Sequence, residues 1–411
     1  MAWNLQPGFS FGGIIGPKSG LLSEDESWMS RALEMAMTGT GKANPNPNVG
    51  CVFVKHGVII GQGTTETYGG KHGERVAAYS AQDTKDLRDS VCYVTLEPCS
   101  HHGKQPPCAE LLIDLKIKRC VIGMIDPFQD VNGQGIQMLK AAGIEVHVGT
   151  LAKEIAAWHF AFMFYQKEKK PLVIGKWAQT ADALLSDDKG VSKWITGKEA
   201  RRYTHHLRQK YDCILVSAAT VLADLPSLNA RESLTPINRH PIKIILDRGG
   251  RLANIDPSVK QTLLEKTFKE GRQIYLGPLS VPWINEHAST VGLQWNGNVD
   301  RDLLDLLSTA YKQITQHPLQ SIFIEGGPKL LSAFMEADLL DLIFLFQRFS
   351  FLGANIHRVN PKSNSDQSSL DDMMRFQLMS CHMLGQDTLT EGLSPQAFDM
   401  MQSLVSASFE S

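Results

Sequence analysis

His72, Glu74, Cys99 and Cys108 are the residues whose types and spacing could do chemistry. One imidazole and two thiolates suit Zn²⁺ by softness, and a set of three protein ligands leaves a tetrahedral ion one position for water. The pKa of such a water falls toward neutrality, which makes hydroxide available as a nucleophile. Glu74, two residues past the histidine, is placed to move protons rather than to bind metal, as required where hydroxide attacks an amino-bearing carbon and ammonia leaves. A structural zinc closes with four ligands and has no use for Glu74.

The pattern H-x-E with two Pro-Cys units, Pro98-Cys99 and Pro107-Cys108, reads as a zinc deaminase of bases. In the general pattern two residues separate the cysteines, whereas here the eight residues 100–107 do. The second thiolate must therefore return from a loop excursion, which is expected to carry substrate contacts. Pro107 and the run 109–113 place Cys108 at a helix start, where the dipole favours thiolate. Cys99 closes an apolar strand over 91–96. Residues two apart on a helix point about 200° apart, so His72 and Glu74 belong at a helix start and not in its interior. His101 and His102 read as loop histidines or substrate contacts, and Cys51, Cys92, Cys120, Cys213 and Cys381 as small buried hydrophobes.

The elements that must position these residues follow from periodicity and punctuation. Residues 1–22 read as a flexible leader. Ser23 and Glu26 form a capping box before a helix with Met29, Leu33 and Ala36 on one face. Pro45-Asn46-Pro47-Asn48 breaks the chain, and 49–54 with 58–61 read as a hairpin turning at Lys55-His56-Gly57. Strands and helices then alternate to residue 150, giving an α/β domain placed at 23–168. The charged connector Lys167-Glu168-Lys169-Lys170-Pro171 precedes a second α/β domain placed at 169–411. There, Thr196 and Glu199 predict another capping box ahead of the basic helix 201–208, with strands at 213–216, 242–247 and 322–324 and a helix at 301–311. The run 363–369 is polar enough for a mobile loop. Glu325-Gly326-Gly327-Pro328 follows a strand, so its amides could approach an anion, although a plain tight turn has the same sequence. Thr220, Asp224, Leu228 and Arg231 gather near the end of another strand, where α/β sheets bind ligands.

Composition narrows the partners. The chain has 411 residues, 41 Lys+Arg against 43 Asp+Glu and a formal charge of −2, with no basic block, so the footprint of a nucleic-acid binder is missing. A free small molecule is the expected substrate. Seven cysteines, two of them assigned to metal, fit a reducing compartment such as the cytoplasm, and no signal peptide or membrane span is apparent.

Taken together these residues resemble the RibD-type bifunctional deaminase–reductases of riboflavin biosynthesis. Pro45-Asn46-Pro47, His72-x-Glu74, the run 94–103 with Pro106-Pro107-Cys108, Asp126-Pro127 and Gly133-x-Gly135 are similar to the deaminase half. Lys176-x-Ala178, Asp182, Ser192-x-Trp194-Ile195-Thr196, Arg208, the run 220–224, Leu228, Arg231 and Glu325-Gly326-Gly327 are similar to the reductase half. The resemblance implies a cytidine-deaminase-like fold followed by a dihydrofolate-reductase-like one, with Zn²⁺ and NADPH as cofactors and a homo-oligomer. It implies hydrolytic deamination of 2,5-diamino-6-ribosylamino-4(3H)-pyrimidinone 5′-phosphate, then reduction of its ribosyl group to ribityl. By position, His72, Cys99 and Cys108 would hold zinc and Glu74 would shuttle the proton. Ser192, Arg208, Leu228, Arg231 and Glu325 would contact the sugar phosphate. Ala178, Trp194, Thr220, Asp224 and the turn Gly326, Gly327, Pro328 and Lys329 would contact NADPH, and Arg248, which departs from the family pattern, is expected to strengthen contact with its 2′-phosphate.

This sequence departs from the family pattern at Gly73 and Arg75, and in the second half at Ala183, Leu184, Leu225, Arg248 and Phe349. Those second-half changes keep open a zinc deaminase with an impaired reductase domain, or one acting on another base. A zinc-stabilised nucleotide-binding scaffold is the non-enzymatic alternative, and in it Glu74 would be idle.

Overall fold

The computed structural model describes residues 9–14, 22–128, 132–188, 195–278, 281–286, 290–353, 359 and 375–409. Ser192, Trp194 and the polar run 363–369 lie outside them. The described residues fall into two compact units, one within Leu5–Lys169, Thr235–Asn238 and Phe398–Ser411, the other within Lys170–Leu234 and Arg239–Ala397.

The first unit opens with a short antiparallel pair, β1 (Phe9–Ser10) and β2 (Gly13–Ile14). This part of the expected leader is packed: Phe11 is fully buried and meets Phe160 edge-to-face with centroids 5.4 Å apart. Burying one such ring contributes about 1.5–3 kcal/mol, enough to order a short segment that lacks helical periodicity. Helix α1 (Glu24–Thr38) follows, and both arms of its Ser23/Glu26 capping box are formed. It lies so close on β3 (Gly50–Lys55) that a Cβ at Gly50 would sit 1.9 Å from the Ala32 carbonyl oxygen. β4 (Val58–Thr64) returns through His56 and Gly57, both left-handed, at φ 53° and 74°.

The chain then alternates through α2 (Gly73–Tyr79), β5 (Val91–Val94), α3 (Cys108–Asp114), β6 (Arg119–Ile122), α4 (Gln134–Ala141), β7 (Glu145–Val148) and α5 (Ala152–Glu168). The sheet order is β4-β3-β5-β6-β7, with β5, β6 and β7 parallel. Cys51, Cys92 and Cys120 fill its buried face beside Phe53, Val94 and Ile122, as small hydrophobes.

The second unit is built on nine strands: β8 (Leu172–Thr180), β9 (Cys213–Ser217), β10 (Ile242–Leu246), β11 (Gln273–Gly277), β12 (Thr290–Gln294), β13 (Ser321–Glu325), β14 (Leu342–Arg348), β15 (Gln377–Leu384) and β16 (Asp387–Leu393). Their order is β12-β11-β10-β9-β13-β8-β14-β16-β15; pairing is parallel as far as β14, and the last two strands run antiparallel. Alternate residues of β9 enter opposite cores, Cys213 and Leu215 on one face, Ile214 and Val216 on the other. That explains its unbroken apolar run, expected of a parallel strand covered on both sides.

The helices are α6 (Lys198–Lys210), α7 (Ala218–Asp224), α8 (Pro257–Lys266), α9 (Pro282–Asn285), α10 (Arg301–Thr315), α11 (Pro328–Glu336) and α12 (Pro395–Ala407).

Three local expectations are corrected. The Thr196/Glu199 capping box does not form: Gly197 is the N-cap of α6 and donates its N–H to Asp387 Oδ2 at 2.6 Å, while the Thr196 carbonyl accepts from Arg201. Cys381 is exposed, not buried. The division also differs from a simple boundary at residue 169, because residues from Phe398 on join the first unit, where Ser408 Oγ accepts the Ile125 N–H. This pairing of distant chain segments leaves no periodic mark in the sequence.

Candidate functional site

His72 is the N-cap of α2, extended at φ −71° and ψ 161°, so its ring leaves the helix axis while Glu74 enters the first turn. Cys108 is the first residue of α3, behind Pro107, and Cys99 ends the segment after β5. The Nδ1 atom of His72 lies 3.5 Å from each sulfur, and the three donor atoms all lie within 4.8 Å of one another. Tetrahedral Zn–N and Zn–S bonds would place nitrogen and sulfur about 3.6 Å apart, so this donor set fits zinc.

The thiol held low is Cys99, at about 4, through hydrogen bonding first from Cys108 and then from His72. Its sulfur also accepts the Cys108 N–H at 3.3 Å. Cys108, where the helix dipole alone predicts the thiolate, is instead pushed up, because its proton is engaged by Cys99 beside it and it is buried. A dication among these atoms would remove that opposition. Glu74 is 3% exposed, and burial raises its pKa against the pull of His72, so it can carry a proton at a site closed to bulk water.

These residues open onto a cavity of about 300 Å³ whose lining includes Asn46, His72, Glu74, Cys99, His101 and Phe128. The insert 100–107 forms part of this wall, as its length suggested. Gln105 donates to the Gly69 carbonyl at 3.1 Å, and the Lys104 ammonium sits 3.8 Å from the Tyr68 ring centroid. Arg75 ties the insert down by donating to the Pro106 carbonyl at 3.3 Å. His101 lines the cavity, whereas His102 faces Glu110 at 3.6 Å.

Sequence reasoning missed the work of Glu97. Its carboxylate accepts the N–H groups of Asp126, Gly133, Gly135 and Ile136, tying the start of α4 to the metal motif. The signal was Gly133-x-Gly135: Gly133 is left-handed at φ 88°, and a Cβ at Gly135 would fall 2.0 Å from the Pro98 carbonyl oxygen. Burial pushes the neighbouring Asp126 carboxyl up to about 7.

In the second unit, Ala178 lies near the carboxyl end of β8, Thr220 and Asp224 lie on α7 after β9, Arg248 follows β10, and Glu325 ends β13. Because β8, β9, β10 and β13 are parallel, all of these gather along one edge of the sheet. Gly327 caps α11 ahead of Pro328 and Lys329, leaving amides at a helix start. A Cβ at Gly327 would project to 3.9 Å from the Thr220 hydroxyl, into a gap that suits a phosphate.

Arg208 grips Glu325 through two bonds of 2.6 and 2.9 Å and also donates to the Asn229 carbonyl at 3.1 Å. Burial works to raise the Glu325 pKa, yet the Arg208 charge and its hydrogen bonds prevail and hold it at about 2. Arg231 reaches Asn229 Oδ1 at 2.9 Å, and its N–H meets His205 Nδ1 at 3.3 Å. His205 and Asn229, which the spacing did not single out, thus join a cluster with Lys176. Leu228 does not fit as a side-chain contact: it is 2% exposed and packed in the core with Val221 and Ile245, so only its backbone can meet a ligand.

The departures from the family pattern have visible consequences. Ala183 keeps a left-handed backbone, φ 63°, at a position where glycine is cheaper, and Leu184 is fully buried. Leu225 is likewise left-handed, φ 44°, and packs on the Val221 core. Phe349 is 85% exposed and meets only the edge of another exposed ring, Phe351, among its described aromatic contacts.

Residues 22–124 match the family model for the cytidine and deoxycytidylate deaminase zinc-binding region, and residues 171–390 match that for the RibD C-terminal domain. The riboflavin biosynthesis protein RibD of Actinobacillus pleuropneumoniae is 35% identical over 374 residues, covering 89% of this chain and 94% of the relative. That of Escherichia coli (strain K12) is 33% identical over 345 residues, covering 81% and 89%. Among solved structures, Acinetobacter baumannii RibD superposes with a TM-score of 0.73 at 32% identity, covering 90% of this chain and 99% of that one. The deaminase/reductase from Thermotoga maritima gives a TM-score of 0.73 at 33% identity, covering 90% and 98%.

Proposed function

The chain belongs to the RibD family, a bifunctional deaminase and reductase of riboflavin biosynthesis, and from that premise we propose how its own residues divide the work. The first unit is the deaminase and the second the reductase. The substrate is 2,5-diamino-6-ribosylamino-4(3H)-pyrimidinone 5′-phosphate, which loses its ring 2-amino group to water and then has its ribosyl group reduced to ribityl by NADPH. The balanced formal charge of −2 supports a small molecule over a polynucleotide. The enzyme is placed in the cytoplasm, a reading supported by its cysteines, which are free among the described residues.

One observation carries the deaminase assignment: the buried Glu74 shares a cavity with His72 and Cys99, one turn-start away from the metal-ligand set. His72, Cys99 and Cys108 would hold zinc, which when bound would supply the Lewis acidity that lowers the pKa of a water. Glu74 would accept a proton at its carboxylate, deliver it to the pyrimidine ring nitrogen and then serve the departing amine. A C–O bond forms, the C–N bond breaks and ammonia leaves.

At the reductase edge, the sugar phosphate is met by the guanidinium groups of Arg208 and Arg231, whose forked donors match phosphate oxygens, with Glu325 and Ser192 on the sugar and the Leu228 backbone beside it. Ala178, Trp194, Thr220, Asp224 and the Gly326–Lys329 helix start would hold NADPH. Arg248, exposed in the turn after β10, would contact the 2′-phosphate. Arg248→Ala should therefore lower the preference for NADPH over NADH several-fold; an unchanged ratio of kcat/KM values would remove Arg248 from the cofactor site.

The burial of Leu184 favours a second reading, in which reduction is weaker than deamination. Purified protein given the diaminopyrimidine phosphate, with and without NADPH, decides between the two. Ammonia release and NADPH oxidation are followed separately: both signals support the bifunctional assignment, ammonia alone supports an impaired reductase, and neither overturns the proposal.

A further inference from the structure

Phe128 is half-buried, lines the metal cavity and, among the described residues, is not part of the apolar core around β3, β5 and β6. Its position is fixed through a short relay. The Phe128 N–H donates to Asp126 Oδ1 at 2.9 Å, and the Asp126 N–H donates to Glu97 Oε2 at 3.4 Å. Glu97 lies two residues before the metal ligand Cys99. From the opposite loop, His101 of the insert brings its ring to 6.0 Å from that of Phe128, at 51°. At that separation the two rings touch one another, so they make one surface rather than a slot that could hold a third ring between them.

We propose that Phe128 and His101 form an aromatic wall on which the flat pyrimidine of the substrate stacks. Through it the protein holds and orients the ring. The proposal rests on the deaminase assignment above and adds a substrate-positioning residue outside the metal motif. Its physical basis is that a planar heteroaromatic ring offers a π-face whatever its substituents, and that hydroxide attacks a ring carbon perpendicular to the ring plane. A ring aligned by stacking therefore has its reactive face oriented before reaction. Phe128 is a positioning residue, since it moves no proton and holds no metal.

The test separates ring binding from chemistry. In ammonia-release assays on the diaminopyrimidine phosphate, Phe128→Ala should raise KM roughly tenfold to a hundredfold, with zinc content retained and kcat changed far less. Phe128→Tyr should restore the wild-type KM, and Phe128→Leu, which keeps bulk without a π-face, should not. As competitive inhibitors, 2,5,6-triaminopyrimidin-4-one should weaken against Phe128→Ala, whereas ribose 5-phosphate should not. An active wild type whose KM is unmoved in both Phe128→Ala and Phe128→Leu overturns the wall alone. So does full rescue by Phe128→Leu. A wild type that releases no ammonia from this substrate overturns the deaminase assignment and the wall with it.

Discussion

At the metal centre, His72, Cys99 and Cys108 come from neighbouring stretches of chain and present donor atoms that a cation can complete. At the reductase edge, Arg208 and Glu325 come from distant stretches and already neutralise each other. The first region is assembled by two helix starts on one small sheet, and its charge balance depends on something bound. The second carries its own counter-ion, so a ligand phosphate must compete with Glu325 for the Arg208 fork. Metal sites can therefore be encoded by short motifs, whereas a buried ion pair is specified only when a helix and a strand end meet.

If the two regions act separately, Glu74→Gln should lower ammonia release by about 10²–10⁴-fold while zinc stays bound and NADPH oxidation on the deaminated intermediate is unchanged. A parallel fall in NADPH oxidation would break the comparison. Removing the other region's counter-ion should act on stability: Arg208→Ala leaves the half-buried Glu325 carboxylate without its bidentate partner, at a cost of about 1–3 kcal/mol in urea unfolding of the second unit. Ammonia release should survive that change.

Acid should also tell the regions apart. Burial, then Arg208 and Arg231, hold the His205 pKa at about 4 against 6.5 unfolded, so the folded protein binds fewer protons in that interval. The stability gained from a neutral His205 is complete above pH 6.5 and is lost as pH falls toward 4. Glu325, held at about 2 against 4.5, contributes stability that is complete above pH 4.5 and is lost as pH falls toward 2. Melting of the second unit should fall in those two windows in turn, and His205→Asn should flatten the upper one. The smallest effect is expected at Ala183, whose left-handed backbone Gly would relax: Ala183→Gly should raise stability by about 1 kcal/mol or less, read as an upward shift in Tm.

Much of the first unit was legible because its signals are local. The Ser23/Glu26 box, the His56-Gly57 turn, the helix start at Cys108 and the H-x-E spacing each depend on residues a few positions apart. The failures are equally physical. Gly197 capped α6 because Asp387, nearly two hundred positions on, took its N–H. Phe9 and Phe11 became core because α5 brought Phe160 to them.

By itself the sequence singled out the metal donors and the proposed proton carrier, since residue type and short spacing set softness, charge and helix capping. Tertiary structure decided that the His72 ring and both sulfurs converge on one point, with the Cys108 N–H donating to Cys99 Sγ. It also decided that Glu97 locks α4 to the metal motif and that Arg208 pairs with Glu325. Those outcomes turn on distances of about 3 Å between segments far apart in the chain, and such distances exist only once apolar burial has brought the segments together.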